Sequence, residues 1–97
     1  MNQQKSHSNR GHKVRLKVID VKSEGGRCPN GHRIGDTYIV GGHTVKGICI
    51  GAFAACLPYV TTLRWDGSFP WEEEPRSLTV GCPDCENQVV WRLEVER

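Results

Sequence analysis

No stretch of this 97-residue chain approaches the roughly 18 continuous apolar residues that a membrane-crossing helix needs. The first residues, Met1 to Lys13, lack the apolar core of a secretion signal. The two absences point to the cytoplasm and away from a membrane partner. Also missing are a nucleophile–base pair, an H-E-x-x-H and a glycine loop of the kind that cradles phosphate. The net charge is small, +2, but it is unevenly placed. Residues 1–33 hold eight Lys or Arg against two acids, and the remainder five against nine. The basic half offers a docking surface for a phosphate-bearing partner. No aromatic residues interleave those charges in the manner of a single-strand binder, so nucleic acid is not the expected partner, and a solvated strand face accounts for most of the excess.

What the chain does have is cysteine, five in all. In a reducing compartment an odd count fits a disulfide framework badly and turns attention to metal ligation or redox chemistry. A domain of this length buries only about two-thirds of the surface its unfolded chain exposes, so a metal staple has something to add.

Residues 1–12, MNQQKSHSNRGH, are polar and aperiodic and are expected to be a disordered N-terminal arm, with a single domain over 13–97. His7 and His12 lie in that arm and are left out of any site. From Lys13 to Val21 the apolar Val14, Leu16 and Val18 alternate with Arg15 and Lys17, the period of a strand with one wet face. Turn residues fill Cys28 to Gly35, and Asp36 to Val40 resumes β character. Between Gly47 and Leu63 the chain is apolar at nearly every position, which predicts a buried helix that Pro58 breaks or kinks. Arg64 to Pro75 is turn-rich and carries Trp65, Phe69 and Trp71; the simplest use of such side chains in a small domain is to plug the core. Glu72 to Glu74 are a solvated run. Two further strands are expected at Ser77–Val80 and Gln88–Val95, the second on the alternation of Val89, Trp91, Leu93 and Val95. The fold class is therefore α+β, a small single domain of antiparallel strands with one buried helix.

Four of the cysteines sit in turn-like phrases: Cys28-Pro-Asn-Gly-His32, Gly47-Ile-Cys49 and Cys82-Pro-Asp-Cys85. A C-x-x-C on a hairpin turn has the shape of a zinc knuckle. Its redox counterpart wants a helix after the first cysteine, and here a strand follows. A second turn presents a thiol and an imidazole, so that Cys28, His32, Cys82 and Cys85 form one candidate tetrahedron. His32 has the alternative of an exposed loop histidine hydrogen-bonded to backbone, and His43 reads as simply solvated. Cys49, if it opens the helix, lies at the positive end of the helix dipole, where a thiolate is favoured. Cys56, seven residues on, reads as a small core residue.

Taken together, CPNGHRIGD, GICIGAF, LRWDGSFPW, the GCPD cysteine and the terminal VVWRLE resemble a family of small uncharacterised prokaryotic proteins, over Lys13 to Arg97. The resemblance implies cysteine at positions 28, 49 and 82 and requires none at 56 or 85. On that footing the leading expectation is a metal-binding protein with Cys28, Cys49 and Cys82 as core ligands and His32 or Cys85 completing the set. Zinc leads among the metals, with an iron–sulfur cluster or copper(I) as alternatives. One rival is an enzyme that uses an open coordination position or Cys49 near Trp71, with Asp36 as base and Arg64 as anion clamp. The other is an adaptor that docks through its basic N-terminal half. A homo-oligomer is left open.

Overall fold

The computed structural model describes residues 11–25 and 27–96. One antiparallel sheet is formed by β1 (Val14–Lys22), β2 (Thr37–Val40), β3 (Ser77–Gly81) and β4 (Gln88–Val95), in the order β2-β1-β4-β3. Among the described residues one helix, α1 (Ile50–Arg64), packs against it. The expected α+β domain is thus the observed one, and the strands lie within a residue of their predicted bounds. No described helix is long and apolar enough to cross a membrane.

The alternation in β1 decides which face is covered. Val14, Leu16 and Val18 are completely buried, as are Trp91 and Leu93 opposite them on β4. Arg15 and Lys17 point to the other face, where the Arg15 guanidinium donates to Glu94 at 2.8 Å and Glu96 at 3.1 Å. Part of the basic excess of the N-terminal half is thereby matched by the acidic C-terminal half on the neighbouring strand. The β1–β4 register slips between Val18 and Asp20. The extra residue, Ile19, is left partly exposed at this bulge.

Helix α1 buries Ala52, Cys56, Val60 and Leu63, spaced by four, four and three residues as one helical stripe requires. Two details refine the sequence expectation, which allowed either a break or a kink at Pro58. The helix begins at Ile50 rather than Gly47, because Gly47 has φ +98° and Cys49 is extended, conformations outside the helix. It also continues through Pro58 to Arg64. Proline deprives the Ala54 carbonyl of its intrahelical donor, but residues 54 and 58 both lie on the exposed side, where water reaches that carbonyl. One turn on, the Thr61 and Thr62 hydroxyls donate to the Leu57 and Pro58 carbonyls.

The chain leaves α1 through Asp66 in the left-handed region, φ +70°, and Gly67, whose N–H bonds the Thr62 carbonyl at 2.8 Å. A Cβ on Gly67 would lie 2.8 Å from that carbonyl oxygen. Gly67→Ala is therefore expected to destabilise the fold by about 1–3 kcal/mol; a thermal melt unchanged from wild type would show that the turn yields. Of the aromatic loop, Phe69 is the plug, 4 % exposed and packed edge-on against Tyr59. Trp65 and Trp71 remain largely outside. The N-terminal arm expected over residues 1–12 lies outside the described residues except for its end. There Gly11 and His12 rest against the helix terminus, with the His12 N–H bonded to the Arg64 carbonyl and its ring 2.6 Å from Asp66. His12, with Arg76 beside it, holds the Asp66 carboxyl below its usual range.

Candidate metal centre

Three segments far apart in the chain deliver cysteines to one cleft at the end of α1. Cys28, Cys49 and Cys82 line it, with Asn30, Asp84 and Asn87 on its more exposed side. Each sulfur is fixed by a local backbone motif, and each motif aims an N–H at it. In the first, Pro29 and Asn30 form a tight turn closed by the Gly31 N–H on the Cys28 carbonyl, 2.9 Å, and Asn30 N–H points at Cys28 Sγ, 3.4 Å. Gly31 stands at φ +86°, a value that favours glycine. In the second, Cys49 is the N-cap of α1, and its sulfur accepts from Ala52 N–H at 3.4 Å. The third is the β3–β4 connection. Cys82 N–H bonds the Val89 carbonyl at 2.9 Å, and Val89 N–H returns to Cys82 Sγ at 3.2 Å. Donors placed in this way complement the negative charge of a thiolate.

The remaining candidates are placed differently. Cys85 is exposed and stands outside the cleft. The intervening Asp84 uses Oδ1 to accept the Glu86 and Asn87 N–H groups, both at 3.0 Å, which turns the loop at that point. His32 is buried, 3 % exposed, between Trp91 and Tyr38 with ring centroids at 5.1 and 5.8 Å. Its Nε2 accepts the Cys49 backbone N–H at 3.1 Å, so Nε2 carries the lone pair and Nδ1 the proton. Nδ1 meets the Tyr38 hydroxyl at 3.3 Å, and that hydroxyl donates to the Gly47 carbonyl at 3.2 Å. Both imidazole nitrogens are thus engaged in holding the turn that presents Cys49. Of the two alternatives open in the sequence, a metal ligand or an exposed loop histidine bonded to backbone, the backbone bond of the second is present, but the ring is buried rather than exposed.

Asn30, Asp84 and Asn87 were not singled out from the sequence. Polar residues in turns carry no mark of the cavity they border, although each lies within five residues of a cleft cysteine. Asp36, whose carboxylate accepts the Arg33 N–H at 2.9 Å, and Trp71 do not line the cleft.

Cys56 is completely buried. Burial pushes its thiol up from 9.0 to about 12, and the nearby Cys82 and Cys49 add to the shift. Tyr38 is shifted upward by burial, then by Asp36 and Cys49. A thiol that ionises near 9 in the unfolded chain and near 12 in the folded one favours unfolding increasingly as pH rises through that interval, and has no such effect below it. The unfolding free energy is therefore expected to fall from about pH 9 upward, and less steeply in Cys56→Ala. Identical slopes in denaturant titrations of the two proteins would count against it.

Among the described residues, no group of three or more His, Cys, Asp or Glu side chains stands arranged to hold a metal ion. The three thiols share a cleft without forming a closed cage. Comparison with protein-family models, with characterised proteins and with solved structures finds no match to this chain.

Proposed function

We propose that this is a small cytoplasmic protein that binds a soft metal centre, zinc or an iron–sulfur cluster, through Cys28, Cys49 and Cys82. The observation that carries the reading is that three sulfurs from separate segments line one cleft and each accepts a backbone N–H. The three sulfurs sit in a turn, a helix cap and a strand connection, where a backbone N–H reaches each, whereas Cys56 in mid-helix has no hydrogen bond to its sulfur among the described residues; Cys82 is also buried, 7 % exposed. Soft thiolates select zinc, iron–sulfur clusters or copper(I) over magnesium or calcium. Because no cage is ready-made, the metal has to draw the thiol-bearing segments inward, and binding energy becomes folding energy.

The test is metal and sulfide quantification, with an absorption spectrum, on protein purified without oxygen. A colourless protein with one equivalent of zinc, or a brown one with iron and sulfide, supports the reading and separates its two forms. Protein with neither, which also fails to take up added zinc or iron and sulfide, sinks it. Metal should also stabilise: at a free concentration about 1,000 times Kd, by about 4 kcal/mol, readable as a raised melting temperature that a chelator reverses.

A second reading has one observation in its favour. Cys49 caps α1, a position that suits a reactive thiol. A thiol-dependent enzyme would show Cys49 alkylated by iodoacetamide well ahead of Cys85, although Cys85 is the more exposed.

A further inference from the structure

We propose that the groove between α1 and the segment that follows β2 binds an amphipathic organic anion, a carboxylate or phosphate monoester on a linear apolar body. Two adjoining cavities form the groove, of about 240 and 410 Å³, and they share Gly41, Gly42, His43 and Arg64. The larger is of the size usual for small-molecule sites. No residue of the cysteine cleft lines either one, so the proposal stands apart from the metal reading.

Positive charge gathers at one end. Lys13, His43 and Arg64 line the larger cavity, and no aspartate or glutamate lines either. The two permanent cations lie against one bare stretch of backbone. A Cβ on Gly41 would stand 3.7 Å from Lys13 Cγ, and one on Gly42 3.6 Å from Arg64 Nη2. Lys13 and His43 have no side-chain partner among the described residues. Arg64 donates from Nε to the His12 carbonyl at 3.3 Å and lies over the Trp65 ring, contacts that position its guanidinium. The C-terminal end of a helix ordinarily repels an anion. Here carbonyls of the last turn are occupied, Thr62 by the Gly67 N–H and Arg64 by the His12 N–H. Residues 1–10 contain no aspartate or glutamate, so the chain's own beginning brings no side-chain carboxylate to these cations.

The other end is apolar. Phe53, Leu57, Val60 and Arg64 follow one another at intervals of four, three and four residues, a single stripe of α1. Val40 lines the same cavity. Leu57 is 44 % exposed, apolar surface that a ligand would cover. From Phe53 to Arg64 the stripe runs for about 16 Å at 1.5 Å per residue. A ligand that satisfies both ends is therefore elongated, with its charge at one terminus. Inorganic phosphate would leave the apolar stripe wet, and an uncharged hydrocarbon would leave the cations unmatched.

The test is a titration of the isotope-labelled full chain with octanoate, below its micelle-forming concentration, while backbone amide resonances are followed. Octyl phosphate, octanol, octylammonium and acetate are titrated beside it. Octanoate is expected to shift saturably the amides of residues 41–44 and of Leu57 and Val60, and to spare those of Cys28, Cys49 and Cys82. Affinity should rise about 2- to 4-fold for each methylene from butanoate to octanoate. Octanol, octylammonium and acetate should each bind more weakly by about 10-fold or more. The tighter of octanoate and octyl phosphate identifies the head group. Lys13→Gln and Leu57→Gln, both at exposed positions, should each weaken octanoate by about 5-fold or more, the first through charge and the second through apolar contact. Octylammonium that binds as well as octanoate, an affinity indifferent to chain length, shifts centred elsewhere, or no binding at millimolar concentration would each overturn the proposal. None of those results would touch the metal reading.

Discussion

Serine at position 28, 49 or 82 is expected to abolish tight metal binding, each substitution alone weakening it by more than about 100-fold. That exceeds the 10- to 100-fold typical of a residue that only supports a ligand. A serine hydroxyl stays protonated and hard where a soft thiolate is needed. The positions also serve as controls on one another, because the three sulfurs are held by unrelated motifs: a proline turn, a helix cap and a strand connection. Cys56→Ser and Cys85→Ala should both retain the metal, the first at some cost in stability because a hydroxyl is buried in an apolar core. Competition against a chromophoric chelator measures all five variants. Retention in any one of the three cleft variants would remove that cysteine from the ligand set.

The largest effect on the fold itself is expected at Trp91. It is completely buried at the centre of the sheet face beneath α1, and its ring supports both His32 and Tyr38. Trp91→Ala should cost about 3–5 kcal/mol, a large part of the 5–15 kcal/mol that holds an ordinary domain together. The cost should reach the cleft as well, since His32 would lose the wall it leans on and the Cys49 turn its anchor. Trp91→Phe is the milder companion. Among the described residues the indole N–H has no hydrogen-bond partner, so the loss is expected to be one of volume. Urea unfolding of the pair should place Phe between wild type and Ala; equal destabilisation would mean that the N–H has an acceptor after all.

The strands were legible in the sequence because each has one wet face: Val14, Leu16 and Val18 against Arg15 and Lys17, and Val89, Trp91 and Leu93 against Arg92 and Glu94. The helix was legible as an apolar run, but its ends were not. Gly47 and Asp66 set them by backbone conformation, which hydrophobicity does not report. Of the two outcomes expected at Pro58, a break or a kink, the break does not occur: the helix runs on to Arg64, with residues 54 and 58 both on its exposed side. Of the candidate ligands, Cys28, Cys49 and Cys82 line one cleft while Cys85 and His32 do not, a placement that depends on how the loops fold and not on spacing along the chain. For His32 a bond to backbone was one open reading, but its burial and its partner were out of reach. Its partner, the Cys49 N–H, is seventeen residues away, and a loop histidine looks the same in a sequence whether it binds metal or backbone.

That single bond, from the Cys49 N–H to His32, has a mechanical consequence. The turn that bears Cys28 and the helix start that bears Cys49 are riveted through one buried ring, while Cys82 rides on the opposite side with the β3–β4 hairpin. The cleft is thus bordered by two units rather than three, the Cys28–His32 loop tied to the start of α1 and the β3–β4 connection that carries Cys82.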